Sequence, residues 1–151
     1  GKVKEGELIV NKKIAKKTVK VFYALYQKRY RIERMRLIDD YGANDEKSMA
    51  ANNTSAFNYR VISGTTKLSN HSYGMAIDIN PRINPWVKGT KVSPANGKVY
   101  KQRKTSKCKG KYKRYMIHKN DTAYKIFKKY GFSWGGEWRS SKDYQHFEVN
   151  K

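Results

Sequence analysis

The chain has three histidines, and two of them stand in polar segments close to carboxylates. The first segment runs Ser69-Asn70-His71-Ser72-Tyr73-Gly74-Met75-Ala76-Ile77-Asp78, the second Asp143-Tyr144-Gln145-His146-Phe147-Glu148. Catalytic zinc takes three protein ligands from His, Asp and Glu and keeps a fourth position open. His71, Asp78 and His146 meet that requirement for one Zn2+. Asp143, three residues before His146, is close enough in sequence to face the same point and exchange protons there, with Glu137 as a second candidate. Taken singly, a histidine is more often an ordinary structural residue, so spacing alone leaves both readings open. The lone cysteine, Cys108, excludes an intramolecular disulfide and a thiolate cluster, leaving nitrogen and oxygen donors for any metal site.

These side chains need elements to position them. Met75 to Asn80 reads as a strand halted by Pro81, which cannot donate to a ladder, and Gln145 to Val149 as a closing strand. Pairing of neighbouring strands would bring His71, Asp78 and His146 to one point. Tyr59 to Ser63 reads as a further strand ended by Gly64, and Arg34 to Asp39 as another. The intervening stretch, Asp40 to Ser55, is expected as a loop.

Asn11 is expected to cap a helix running to about Tyr30, with Ile14, Thr18, Val21, Phe22, Leu25 and Tyr26 on one face. A second helix, capped by Asn120 or Asp121 and stopped by Gly131, carries Ala123, Ile126, Phe127 and Tyr130. Residues 81–115 hold all three prolines and a dense lysine run, and read as an irregular excursion forming one wall of a cleft. The expected architecture is therefore α+β: a small single domain over 1–151, a central antiparallel sheet with flanking helices, and the metal site in a cleft on the sheet.

Composition sets the outer limits. With 38% apolar and 13% aromatic residues among 151, the chain has enough core material to fold as one domain. No stretch approaches the roughly 20 apolar residues that cross a bilayer. Gly1 to Glu5 lack the apolar core of a secretion signal, so the start is expected to be processed or trimmed. Thirty-four Lys and Arg against 12 Asp and Glu give a formal charge of +22, which attracts polyanions such as nucleic acid, anionic lipid or anionic wall polymers.

Both polar segments resemble the LAS-type zinc peptidases, a family of D-alanyl-D-alanine carboxypeptidases, vancomycin-resistance dipeptidases and L-alanyl-D-glutamate endopeptidases. Its pattern is Ser-x-His-x-x-Gly-x-Ala-x-Asp followed by Asp/Glu-x-x-His. Ser69, His71, Gly74, Ala76 and Asp78 match the first motif, and Asp143 with His146 the second; the Trp134-Gly135-Gly136 turn is also similar, so the likeness spans about 57–149. The resemblance implies that His71, Asp78 and His146 ligate zinc and that Asp143 is the general acid/base. Asp in place of Glu before the last histidine is more like the L-alanyl-D-glutamate endopeptidases.

Many members carry an arginine after the Ser-Gly of the second strand, where this chain reads Ser63-Gly64-Thr65-Thr66-Lys67; Arg60 or Lys67 would then face the developing oxyanion. Trp86, Trp134, Trp138 and Tyr73 read as core or cleft wall. Of these, Tyr73 and Trp138, together with Ser69, are the expected substrate contacts.

The resulting expectation is a zinc peptidase cutting a stem-peptide bond of bacterial peptidoglycan, acting as a monomer outside the cell membrane, in the wall or periplasm. Cleavage of L-alanyl-D-glutamate leads, with D-alanyl-D-alanine carboxypeptidase activity as the alternative. From another class, the charge and the Lys111-Tyr112-Lys113-Arg114-Tyr115 interleaving suit a nucleic-acid module. No recognition motif for specific nucleic acid accompanies them, and charge alone does not explain the matched metal pattern. A wall-binding domain that has lost catalysis is the third reading, opposed by the presence of all four site residues.

Overall fold

The computed structural model describes residues 1–150. Helix α1, Lys12–Gln27, starts where the Asn11 side chain accepts from the Lys13 N–H, and it buries Ile14, Thr18, Val21 and Leu25. That spacing of three or four residues lays one apolar stripe on the sheet while lysines occupy the solvent side. Tyr26, expected on the stripe, is exposed. Helix α3, Thr122–Lys129, is capped by Asp121, whose carboxylate accepts from the Tyr124 N–H. It packs beside α1, with Phe22 edge-on to Phe127.

Two three-stranded antiparallel sheets replace the single central sheet of the sequence reading. In the first, β1 (Ala76–Asp78) pairs with β6 (His146–Glu148), which pairs with β4 (Ser133–Trp134). In the second, β2 (Trp86–Lys88) lies between β3 (Lys91–Ser93) and β5 (Lys142–Asp143). The α+β class stands. The core lies between the first sheet and the helices, where Phe127 stacks on Phe147 with ring centroids 3.9 Å apart. Each such fully buried ring contributes about 1.5–3 kcal/mol through apolar burial.

Three expected elements differ. Residues 34–39 do not form a strand: Arg34 makes one isolated bridge to Asn53, and Ile38–Tyr41 is a 3-10 turn closed by Gly42. The expected loop after it contains a short helix α2, Asp45–Ala50, capped by Asn44. Residues 59–63 look strand-like through β-branched and aromatic content, yet Tyr59, Val61 and Ile62 are exposed and only Val61 bridges, to Leu68. Without a sheet face to cover, that composition does not suffice to make a ladder. The 81–115 excursion is more ordered than expected, since it supplies the β2–β3 hairpin on which β5 pairs.

Candidate metal and catalytic site

The antiparallel register of β1 and β6 sets Asp78 opposite His146 and Ala76 opposite Glu148. His71 arrives from the 3-10 turn Asn70–Tyr73, whose first N–H groups are capped by Ser69: its hydroxyl accepts from the His71 N–H. Ser69, expected among the substrate contacts, is buried and shapes the histidine's turn. Gly74 closes that turn at φ 65°, and a Cβ there would stand 2.6 Å from the Asn11 backbone nitrogen. Both facts demand glycine: the left-handed conformation, and the segment before α1 lying across it.

The three side chains converge. His71 Nε2 lies 3.1 Å from Asp78 Oδ2, and His146 Nδ1 lies 3.2 Å from Asp78 Oδ1. The two ring nitrogens are 3.1 Å apart. All three residues are buried, and one ligand atom from each lies within 4.8 Å of the others, an arrangement that could hold a metal ion. Two imidazoles and one carboxylate are a donor set suited to zinc.

The surroundings orient each ring. His71 Nδ1 lies 2.7 Å from the Ala56 carbonyl oxygen, which can only accept, so Nδ1 carries a hydrogen and Nε2 is the ring atom turned to the cluster. On the other ring, His146 Nε2 lies 2.9 Å from Glu148 Oε2, an oxygen that also accepts from Asn70 Nδ2 at 2.6 Å. Glu148 thereby turns His146 Nδ1 toward Asp78. Sequence reasoning passed over Glu148 and Asn70, although Glu148 lies two positions beyond His146 on the same strand face, a detectable signal.

Electrostatics follow from this enclosure. Burial alone would raise the Asp78 carboxyl, but the charge of His71 and hydrogen bonds from both imidazoles outweigh it and hold Asp78 well below the usual carboxylate range. Burial works against the charged form of His146, yet Asp78 and Glu148 push it up to about 10. The pocket thus favours positive charge at its centre.

Asp143 sits on β5 with its Cα partnered to Trp86. Its Oδ1 is out of solvent with no hydrogen-bond partner. Burial raises this carboxyl to about 7, partly opposed by His146 and, more weakly, by His71 and Arg60. Gly135, in the Trp134-Gly135-Gly136 turn, packs against it so closely that a Cβ would stand 2.5 Å from the Asp143 carbonyl oxygen. Glu137, the other candidate acid, is engaged elsewhere: it accepts from Tyr124 Oη and pairs with Lys119 and Lys128.

Arg60 is stapled to the His71 turn, for the Ser72 hydroxyl accepts from the Arg60 N–H and donates to its carbonyl. Its Nε lies 3.5 Å from Asp45 on α2, another residue absent from the sequence reading. Burial raises the Asp45 carboxyl, Arg60 opposes this, and the further influence of Asp78 and His71 places Asp45 near the cluster. Lys67 lies on an exposed turn, its N–H bonded to Thr65 Oγ1. The Trp138 ring is half-buried beside His146, centroids 5.2 Å apart. Tyr73 lines a surface cavity with Asn11, Lys13 and Met75.

A nitrogen-and-oxygen donor cluster beside the half-buried Asp143 carboxyl, whose Oδ1 has no hydrogen-bond partner, fits the class of metal-dependent hydrolases. Residues 63–149, more than half of the chain, match the peptidase family described as D-alanyl-D-alanine carboxypeptidase, and the protein belongs to that family. No curated protein and no solved structure matches the chain.

Proposed function

We propose that the protein is a zinc-dependent peptidoglycan peptidase that hydrolyses a stem-peptide bond, with L-alanyl-D-glutamate as the bond cut. The convergence of His71, Asp78 and His146 from three separate segments, with half-buried Asp143 holding its unpartnered Oδ1 out of solvent nearby, carries this reading. Zinc, when bound by these three residues, supplies a Lewis acid for the scissile carbonyl and lowers the pKa of water.

The chain's own residues supply the rest. Asp143 Oδ1 takes a proton from the water that adds to the carbonyl and delivers it to the departing amine; a carboxyl near 7 suits both transfers at neutral pH. Arg60, held by Ser72 and Asp45, faces the negative charge that develops on the carbonyl oxygen. Trp138 forms the lip beside His146 against which the substrate lies. Glu148 and Ala56 keep both imidazoles turned inward. The family's description favours a second reading, removal of a terminal D-alanine by the same residues.

Digestion of purified peptidoglycan, with and without chelator and with zinc restored, tests the proposal. Zinc-restored release of new amino ends on D-glutamate is the expected result. Release of D-alanine would move the assignment to the carboxypeptidase reading, and undiminished digestion in chelator would overturn the zinc mechanism.

A further inference from the structure

Between Asp78 and Asp121 the chain has no acidic residue and thirteen Lys and Arg. A face that only confers solubility mixes both signs, because a single-sign cluster repels itself. Lys101, Lys104, Lys107, Lys109, Lys111 and Arg114 are exposed, and none forms an ion pair among the described residues.

The segment bearing them is firmly held. Arg103 donates to the carbonyls of Ile83, Tyr100 and Ile117 and to Asn84 Oδ1, and its guanidinium lies 4.2 Å over the Tyr144 ring. Tyr100 and Cys108 bury against Ile83 and Met116 in an apolar cluster of their own. The cations are therefore presented from a fixed scaffold, anchored on the residue that follows Asp143.

We infer that this 101–114 face docks a linear phosphodiester polymer of the bacterial envelope, of the polyol-phosphate kind, and so holds the enzyme on its wall substrate. The inference rests on the peptidoglycan reading above. Spaced, unpaired ammonium groups suit a flexible polyanion with one charge per repeat. Nucleic acid suits the face less well, since single strands are gripped by stacking bases on open aromatic rings. Here each ring already has a cation over it: Lys111 lies over Tyr112, which stays partly open to solvent, and both Arg31 and Arg114 lie over the half-buried Tyr115.

The test is sedimentation of the full chain with Gram-positive walls, before and after acid removal of their phosphodiester polymer. Stripping is expected to lower binding about tenfold or more, and raising salt from 50 to 200 mM to do likewise with intact walls, as counterion release requires. The combined variant Lys104→Gln, Lys107→Gln, Lys109→Gln and Lys111→Gln should lose the same binding while cleaving a small soluble stem peptide at the parental rate. Equal binding to stripped and intact walls overturns the inference without any variant. Tighter binding to DNA than to the isolated polymer at equal salt overturns it in favour of nucleic acid. Loss of soluble-peptide cleavage in the parent would instead count against the peptidase reading, leaving the polymer result to stand separately.

Discussion

Asp78 and His146 face each other across the β1–β6 pair, with His146 Nδ1 3.2 Å from Asp78 Oδ1. Residues 68 positions apart thus meet through one strand register. A slip by one residue would put Phe147 toward the cluster and His146 into the core. The ring stack of Phe147 on Phe127 opposes that slip, so core packing and site geometry are enforced by the same register.

Replacing the proton carrier separates chemistry from metal binding. Asp143→Ala is expected to lower kcat by about 10²–10⁴-fold while zinc content, measured by atomic emission, stays stoichiometric. His71→Ala and His146→Ala should lose the metal as well. Parental turnover in Asp143→Ala would remove it from the mechanism.

Glu148→Gln tests the orientation of His146. A neutral amide can present the wrong group to Nε2 and weakens the ligand's basicity, so zinc affinity should fall about 10–100-fold in a competition with a chromophoric chelator. An unchanged affinity would show that Glu148 is only a surface partner of Asn70.

Proton and metal compete at His146. In the metal-free protein its folded pKa is raised from 6.5 to about 10, so its contribution to stability is fully present below about 6.5 and is lost as pH rises toward 10. Zinc needs the neutral ring, so affinity should climb across that interval, with protons released on binding. Calorimetry in buffers of different ionisation enthalpy counts them; a pH-independent affinity with no release would contradict the assignment.

Gly74→Ala is expected to destabilise the fold by more than about 1 kcal/mol, since the left-handed backbone and the Asn11 contact both oppose a methyl group. The measurement is the thermal midpoint of the metal-free protein. A shift under one degree would mean that the N-terminal segment yields easily.

The two motifs already contained the donor set, because residue types and spacing limit which atoms can bind a cation, and the helices around Asn11 and Asp121 were legible from local capping and periodicity. Glycine at 74 and 135 could be recognised as part of a pattern, but its reason lay in backbones from distant segments. Local composition misjudged residues 34–39 and 59–63, since a strand needs a partner edge that the sequence does not show. Only the tertiary structure decided that Ser69 caps, that Glu148 and Ala56 aim the imidazoles, that Asp45 and Ser72 hold Arg60, and that the lysine-rich excursion supports Asp143. Those relations depend on strand register and on burial, which arise between segments far apart in the chain.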